Sequence, residues 1–164
     1  MHFQEKGLAL MADWRYPGVP QLNRDLNPCD GCHECALRCT AGVQMTEEEF
    51  LRIVEHLRGL DPRQVTRVLD QDKQVTWFED TNTEACLFQD VTRGGCIVYP
   101  ARPLVCRLFG QVEWLPCPLG RRLPQVRGGL ELIQAYAEER RATFPEWCVA
   151  RGLFDFRQLL SADG

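Results

Sequence analysis

Nine cysteines in a chain of 164 residues constrain this fold more than any other feature of its sequence. The first four form a compact run of spacing C-x2-C-x2-C-x3-C, at Cys29, Cys32, Cys35 and Cys39. Four more follow at intervals of 10, 10 and 11 residues, at Cys86, Cys96, Cys106 and Cys117, and Cys148 stands apart. An odd number leaves one thiol over in any all-disulfide scheme, and cysteine-dense chains outside the secretory route more often bind metals. The pattern predicts that the first eight are metal ligands.

The compact run cannot hold one metal ion if it is a continuous helix. Its end residues would lie about 15 Å apart, whereas zinc–sulfur bonds are about 2.3 Å long. Either the segment loops around a metal or cluster, as Pro28 and Gly31 permit, or its thiolates complete a site with the remote cysteines. We interpret His33, inside the run, as a surface residue. Cys148, beside Trp147, is expected to be a packed core thiol.

The composition restricts the compartment and the partners. With 45% hydrophobic and 26% charged residues, the chain has the composition of a soluble globular protein. No apolar run approaches the roughly 18 to 20 residues of a membrane-spanning helix, and the run 8–12 is too short for a secretory signal. We therefore expect a cytoplasmic protein with no membrane partner. The net charge of −4 provides no basic surface and argues against a nucleic-acid partner.

The length favours one small domain. We expect an α+β fold, mainly helical and irregular, in which metal supports the cysteine-rich loops. Within it, residues 1–27 are an N-terminal lead-in and 28–120 the cysteine-cluster metal-binding domain. Residues 121–164 are a C-terminal helical extension packed on the same domain.

Local signals predict three helices. Thr46 and Glu49 form a capping box that starts a helix over 46–58, with Gly59 at its end. Asp61 followed by proline starts a second helix. A third is predicted from Leu130 to about Phe144, ended by the following proline. We expect the first and third helices to pack over the cysteine loops.

Three further segments have local signals. The stretch 74–79 is the best strand candidate. The stretch 90–95, which contains Gly94 and Gly95, predicts a tight turn between Cys86 and Cys96. A short helix opened by Arg102 and a proline is expected to carry residues 106–109.

The sequence around the cysteines resembles the YkgJ-like cysteine-cluster family, a zinc- or iron-chelating domain of CxxCxxCC type. The resemblance covers residues 28–120 and rests on three segments: Cys-Asp-Gly-Cys-His-Glu-Cys at 29–35, Cys-Leu-Phe at 86–88, and Gly-Cys-Ile-Val-Tyr-Pro-Ala-Arg-Pro-Leu-Val-Cys-Arg-Leu-Phe at 95–109. Cys117 fits the later cysteine of the family. The resemblance implies metal binding through these cysteines.

This chain departs from the family pattern at its opening. Three residues separate Cys35 from Cys39, where the family has an adjacent pair. A helical i, i+4 spacing still places both on one face, so Cys39 is retained as a ligand. The domain is also similar to part of the flagellin lysine methylases, where an iron–sulfur cluster accompanies methyl transfer. This chain has no glycine-rich motif that would favour bound S-adenosylmethionine.

Arg102 and Arg107 are candidate cofactor-binding residues. Four thiolates on Zn²⁺ or on a [4Fe–4S]²⁺ core leave a net charge of −2, which guanidinium groups beside the sulfurs would offset. The alternative is that both arginines form surface ion pairs, each worth roughly 0–1 kcal/mol.

Three functions fit these residues. We favour an iron–sulfur protein, with a [4Fe–4S] cluster, for electron transfer, cluster handling or support of a protein redox or enzyme partner. The compact run matches cluster-binding spacing, and the second group lacks the paired knuckles of zinc ribbons. The alternatives are a zinc-binding structural or chelating protein and a methyltransferase-like enzyme with an iron–sulfur cluster. Soft thiolates also suit Cu(I). Catalytic residues are not identified.

Overall fold

The computed structural model describes residue 32 and residues 34–77 and 81–160. These residues form six α-helices and two antiparallel two-stranded sheets within one small α+β domain that is otherwise irregular. The helices are α1 (Glu47–Arg58), α2 (Pro62–Leu69), α3 (Leu104–Arg107), α4 (Gly129–Ala137), α5 (Phe144–Ala150) and α6 (Arg157–Leu160). The strands are β1 (Gln44–Thr46), β2 (Gln74–Trp77), β3 (Thr81–Glu84) and β4 (Arg141–Thr143), and 3-10 helices span Glu34–Arg38 and Tyr99–Ala101.

The first two helices begin where their capping residues predict. The Thr46 side chain accepts a hydrogen bond from the Glu49 N–H at 3.3 Å, and the Glu49 carboxylate accepts one from the Thr46 N–H at 2.9 Å. Gly59 ends α1. The Asp61 side chain accepts a hydrogen bond from the Arg63 N–H at the start of α2. The capping box and the second cap are confirmed.

The two sheets are short. β1 pairs with β4, with Gln44 opposite Thr143, and β2 pairs with β3, with Gln74 opposite Glu84. The predicted strand is confirmed over 74–77, and residues 78 and 79 lie outside the described part of the chain.

The predicted helix over 130–144 is confirmed at its start, since a helix begins at Gly129, but its predicted end is wrong. α4 ends at Ala137, β4 follows, and α5 begins at Phe144. Thr143 caps α5, because its side chain accepts from the Glu146 N–H at 3.4 Å and its own N–H donates to the Glu146 carboxylate at 2.7 Å. Pro145 therefore lies in the first turn of a helix, where its missing N–H costs nothing.

The predicted helix with residues 106–109 is shorter than expected. α3 ends at Arg107, and Leu108 is its C-terminal cap. Residues 106 and 107 are thus helical, whereas 109 lies beyond the helix.

Two clusters of buried apolar side chains form the core. The larger surrounds α1, with the Phe50 ring 5.1 Å from Phe144 and Phe144 5.0 Å from Phe88. Cys148 belongs to this cluster, as expected of a core thiol. The smaller cluster joins α3 to α4 through residues such as Leu104. Within the described ranges, no helix is both long enough and apolar enough to cross a bilayer.

Candidate metal centre

Four cysteines from separate parts of the chain line one cavity of about 200 Å³, here called the cysteine cavity. They are Cys39, Cys86, Cys96 and Cys106. Most of the remaining wall is apolar, supplied by residues such as Met45, Val98 and Phe144. The cavity thus combines soft sulfur donors with a largely dry lining.

Backbone pairing places Cys39 beside Cys86. The Cys86 N–H donates to the Cys39 carbonyl at 3.0 Å, and the Ala41 N–H donates to the Glu84 carbonyl at 2.8 Å. Thr40 also forms an antiparallel bridge. The end of the compact cysteine run is therefore fixed to the beginning of the second group.

The turn between Cys86 and Cys96 brings Cys96 back to the cavity. The Asp90 N–H donates to the Gly95 carbonyl and the Ile97 N–H to the Phe88 carbonyl, both at 3.0 Å. Cys96 itself bridges to Gln89. The predicted tight turn is confirmed.

Glu49 positions the helix that carries Cys106, a role that the sequence analysis missed. This buried carboxylate accepts hydrogen bonds from the Leu104 N–H at 2.7 Å and from the Tyr136 hydroxyl at 2.6 Å, besides capping α1. Glu49 thus joins α1, α3 and α4 at one point. Both α1 and the helix near 130 were expected to pack over the cysteine loops. The helix α1 shares the larger apolar cluster with Cys86 and Cys96, whereas α4 packs on α3, the helix that carries Cys106.

Burial controls the protonation of the four thiols. Burial, with a smaller contribution from neighbouring thiolates, raises the pKa of Cys39 and of Cys96 to about 12. Burial also raises the pKa values of Cys86 and Cys106. As free thiols these groups keep their protons at neutral pH. A soft cation would reverse this preference, because a coordinating thiol is deprotonated by the metal.

Backbone donors already point at two of the sulfurs. Hydrogen bonds from the Phe88 and Gln89 N–H groups lower the pKa of Cys86, and one from Val98 lowers that of Cys96, although burial outweighs them. Such donors favour the thiolate form and surround thiolate-bound metals.

The two predicted arginines occupy different places. Arg102 lines the cavity, stacks 3.6 Å over the Tyr99 ring, and donates to the Cys106 carbonyl at 3.4 Å. Its charge lowers the pKa of Cys39, Cys96 and Cys106. Arg107 does not line the cavity; its Nε donates to the Arg102 carbonyl at 2.6 Å, and burial lowers its pKa to about 10. Arg107 braces the loop that presents Arg102.

Lys73 is a second cation of the cavity wall that sequence reasoning missed. Its Nζ donates to the carbonyls of Val68 at 2.8 Å and Gln89 at 2.5 Å, and its side chain is buried. Gln89 also lines the cavity, and its side-chain oxygen is a buried acceptor with no hydrogen-bond partner among the residues that the structure describes. Lys73 precedes a strand and has no local pattern that would have pointed to a site.

Of the other predicted ligands, Cys32, Cys35 and Cys117 do not line this cavity. Cys35 is close, because its carbonyl accepts from the Cys39 thiol at 3.5 Å. Cys32 is half-buried, and Cys117 lies beside Gly110. Cys29 and His33 lie outside the described residues. Across the part of the chain that the structure describes, no three Cys, His, Asp or Glu side chains converge closely enough to hold one metal ion as they stand.

Comparison with known families adds one finding. The family model CxxCxxCC, described as a "putative zinc- or iron-chelating domain", matches residues 28–149. The match includes all nine cysteines and extends past residue 120 into α5. No curated protein and no solved structure matches the chain.

Proposed function

This chain belongs to the CxxCxxCC family of zinc- or iron-chelating domains, and we propose that its metal centre is a [4Fe–4S] cluster held by Cys39, Cys86, Cys96 and Cys106. The lining of one cavity by these four cysteines carries the proposal. Four cysteine thiolates are the usual ligand set of such a cluster. The proposed roles are electron transfer, cluster handling or support of a partner enzyme in the cytoplasm.

The size of the cavity favours a cluster over a single ion. One water needs about 10–15 Å³ of such space, whereas this cavity offers about 200 Å³. A single tetrahedral zinc ion, with bonds of about 2.3 Å, would require its sulfurs to close around it. The spacing of the compact run supports the same choice.

The surrounding residues suit an anionic centre. When bound, the cluster would supply one-electron redox capacity. Arg102 would offset its negative charge, and the backbone donors of Phe88, Gln89 and Val98 would stabilise thiolate sulfur. The apolar wall would exclude water from the sulfurs.

We propose the remaining cysteines of the two groups as secondary ligands. Cys29, Cys32, Cys35 and Cys117 would serve as spare ligands or hold a second centre. Among the three of these that the structure describes, Cys35 is the best placed, since its carbonyl accepts from the Cys39 thiol and its charge raises the pKa of Cys39.

Structural zinc is the second candidate. The chain from Ala85 to residue 98 carries two of the proposed ligands, Cys86 and Cys96, and consists of loops and turns with only isolated β-bridges. Loops of this kind are what a structural zinc site stabilises. If the metal is zinc, the same four thiols would be its ligands, and their sulfurs would move closer together to reach the ion.

Anaerobic metal and sulfide analysis separates the two candidates. We expect a brown protein that contains iron and acid-labile sulfide and is bleached by dithionite. A colourless protein with stoichiometric zinc and no sulfide would contradict the cluster and support the zinc site.

A pair of cysteine variants tests the ligand assignment. Cys106 and Cys148 are both buried thiols, but only Cys106 lines the cavity. We expect Cys106→Ser to lose most of the bound metal and Cys148→Ser to keep it. Equal metal content in the two variants would refute the cavity as the site.

A further inference from the structure

Lys73 lines the cysteine cavity, and hydrogen bonds fix its ammonium group. Its Nζ lies within hydrogen-bond distance of three carbonyl oxygens, on Val68, Gln89 and Gln71, at 2.8, 2.5 and 3.5 Å. Three acceptors match the three donors of a charged ammonium group. The side chain is only 8% exposed. Its charge is therefore held in place and weakly screened by solvent.

The backbone ties this cation to the cysteine segment. The Ala85 N–H donates to the Lys73 carbonyl at 2.7 Å, immediately before Cys86. Gln89, which accepts from the ammonium group, is bridged to Cys96. Lys73 and Cys86 interact electrostatically, and the Asp90 carboxylate also acts on Lys73. Arg67 is already paired with that carboxylate at 2.7 Å.

We propose that Lys73 is a positioning residue whose charge, together with that of Arg102, balances the thiolate-bound metal centre. The inference rests on the proposed metal site but not on the identity of the metal. Four thiolates on a divalent centre carry a net charge of −2, and Lys73 and Arg102 supply +2 at the same cavity wall. Removing one of these charges should weaken metal binding by about tenfold or more, as outer-shell substitutions typically do.

The test measures cobalt(II) binding to the full chain under anaerobic conditions. Cobalt–thiolate charge-transfer absorption reports the centre, and a competing chelator gives the affinity. Lys73→Gln keeps a hydrogen-bond donor but removes the charge, whereas Lys73→Arg keeps the charge. We expect Lys73→Gln to bind cobalt about tenfold more weakly and Lys73→Arg to recover most of the wild-type affinity.

Arg58→Gln is the matched control. Arg58 is also a cation that donates to a backbone carbonyl, that of Leu159 at 2.7 Å, but it does not line the cavity. Cobalt affinity that is unchanged in Lys73→Gln, or lowered equally in Lys73→Arg and Lys73→Gln, would overturn the charge role. Urea unfolding measures the stability of each variant. A loss of cobalt affinity caused by the missing charge can then be distinguished from one caused by a less stable fold.

The outcomes also distinguish this inference from the proposed cluster. If native protein carries zinc while Lys73→Gln weakens cobalt binding, the cluster is wrong and the role of Lys73 stands. If the wild-type chain forms no cobalt–thiolate absorption, the role of Lys73 fails, whereas iron and acid-labile sulfide in the native protein would still support the cluster.

Discussion

Asp90 fixes the turn between Cys86 and Cys96. Its carboxylate accepts hydrogen bonds from the Arg67 guanidinium at 2.7 Å and the Gln71 amide at 2.9 Å, and from two backbone N–H groups of the turn. These donors, with Arg67 the strongest, hold the pKa of Asp90 well below its usual range. One buried charge therefore maintains the loop that carries Cys96 to the cavity.

We expect Asp90→Asn to lower the free energy of unfolding by about 1–3 kcal/mol at neutral pH, because charge-assisted hydrogen bonds are lost. A carboxyl with a depressed folded pKa stabilises the protein above its unfolded pKa of about 3.9, and that stabilisation is lost as the pH falls toward the folded value. Urea unfolding should therefore show that the difference in unfolding free energy between wild type and variant decreases below about pH 4.

The control for this prediction is Asp72→Asn. Asp72 is an exposed carboxylate nearby in the chain that accepts from the Gln74 N–H, a bond that asparagine can keep. Its substitution should change stability by less than about 0.5 kcal/mol. If the difference in unfolding free energy between wild type and Asp90→Asn stays constant from neutral to acid pH, the ionic role of Asp90 is contradicted.

At the scale of elements, caps decide where the chain changes direction. The segment from α4 to α5 turns through β4, whose pairing with β1 brings Phe144 onto α1. Thr143 ends the strand and caps the helix within one residue. This junction also supplies part of the cavity wall, at residues 143–145.

Thr143→Ala should cost about 1 kcal/mol of unfolding free energy, because the N–H of Glu146 loses its acceptor. Chemical denaturation measures the loss, and Thr143→Ser should retain most of the stability, since serine caps equally well. If residues 130–144 formed one continuous helix, alanine would instead be neutral or stabilising there.

At the scale of the molecule, the cavity lies where separate segments meet. Cys86 and Cys96 pack against the larger apolar cluster, whereas Cys106 belongs to the helix that also supplies Leu104 to the smaller one. A metal bound by all four cysteines would link the two apolar clusters to the segment that contains Cys39. This link would exist in the folded state and not in the unfolded chain. The metal should therefore contribute to global stability as well as to the site.

Stripping the metal anaerobically should lower the thermal midpoint by about 5–15 °C, as expected when metal stands at 100 to 1,000 times its dissociation constant. Circular dichroism before and after chelation measures the shift. Reconstitution should restore the midpoint in wild type and in Cys148→Ser, whose thiol lies in the core. Identical midpoints for loaded and stripped wild-type protein would exclude this coupling.

The sequence by itself determined the features that depend on residues a few positions apart. The capping box of α1, the cap of α2 and the turn at 90–95 follow from local hydrogen bonding, and the density of thiols determined the class of ligand. The burial of Cys148 in the apolar core also followed from its position beside Trp147.

Only the tertiary structure decided which thiols share a cavity. The compact run contributes Cys39 to it, with partners 47 to 67 residues away, because backbone pairing and the Glu49 hydrogen bonds bring them together. The spacing of the cysteines along the chain does not predict contacts between residues so far apart in sequence. The place of Lys73 was hidden for the same reason, because its ammonium group is held by the carbonyl of Gln89, which lies 16 residues later. The end of α4 was only partly hidden: the strand β4 depends on pairing with the distant β1, but the Thr143–Glu146 capping box is a local pattern that marks a new helix start.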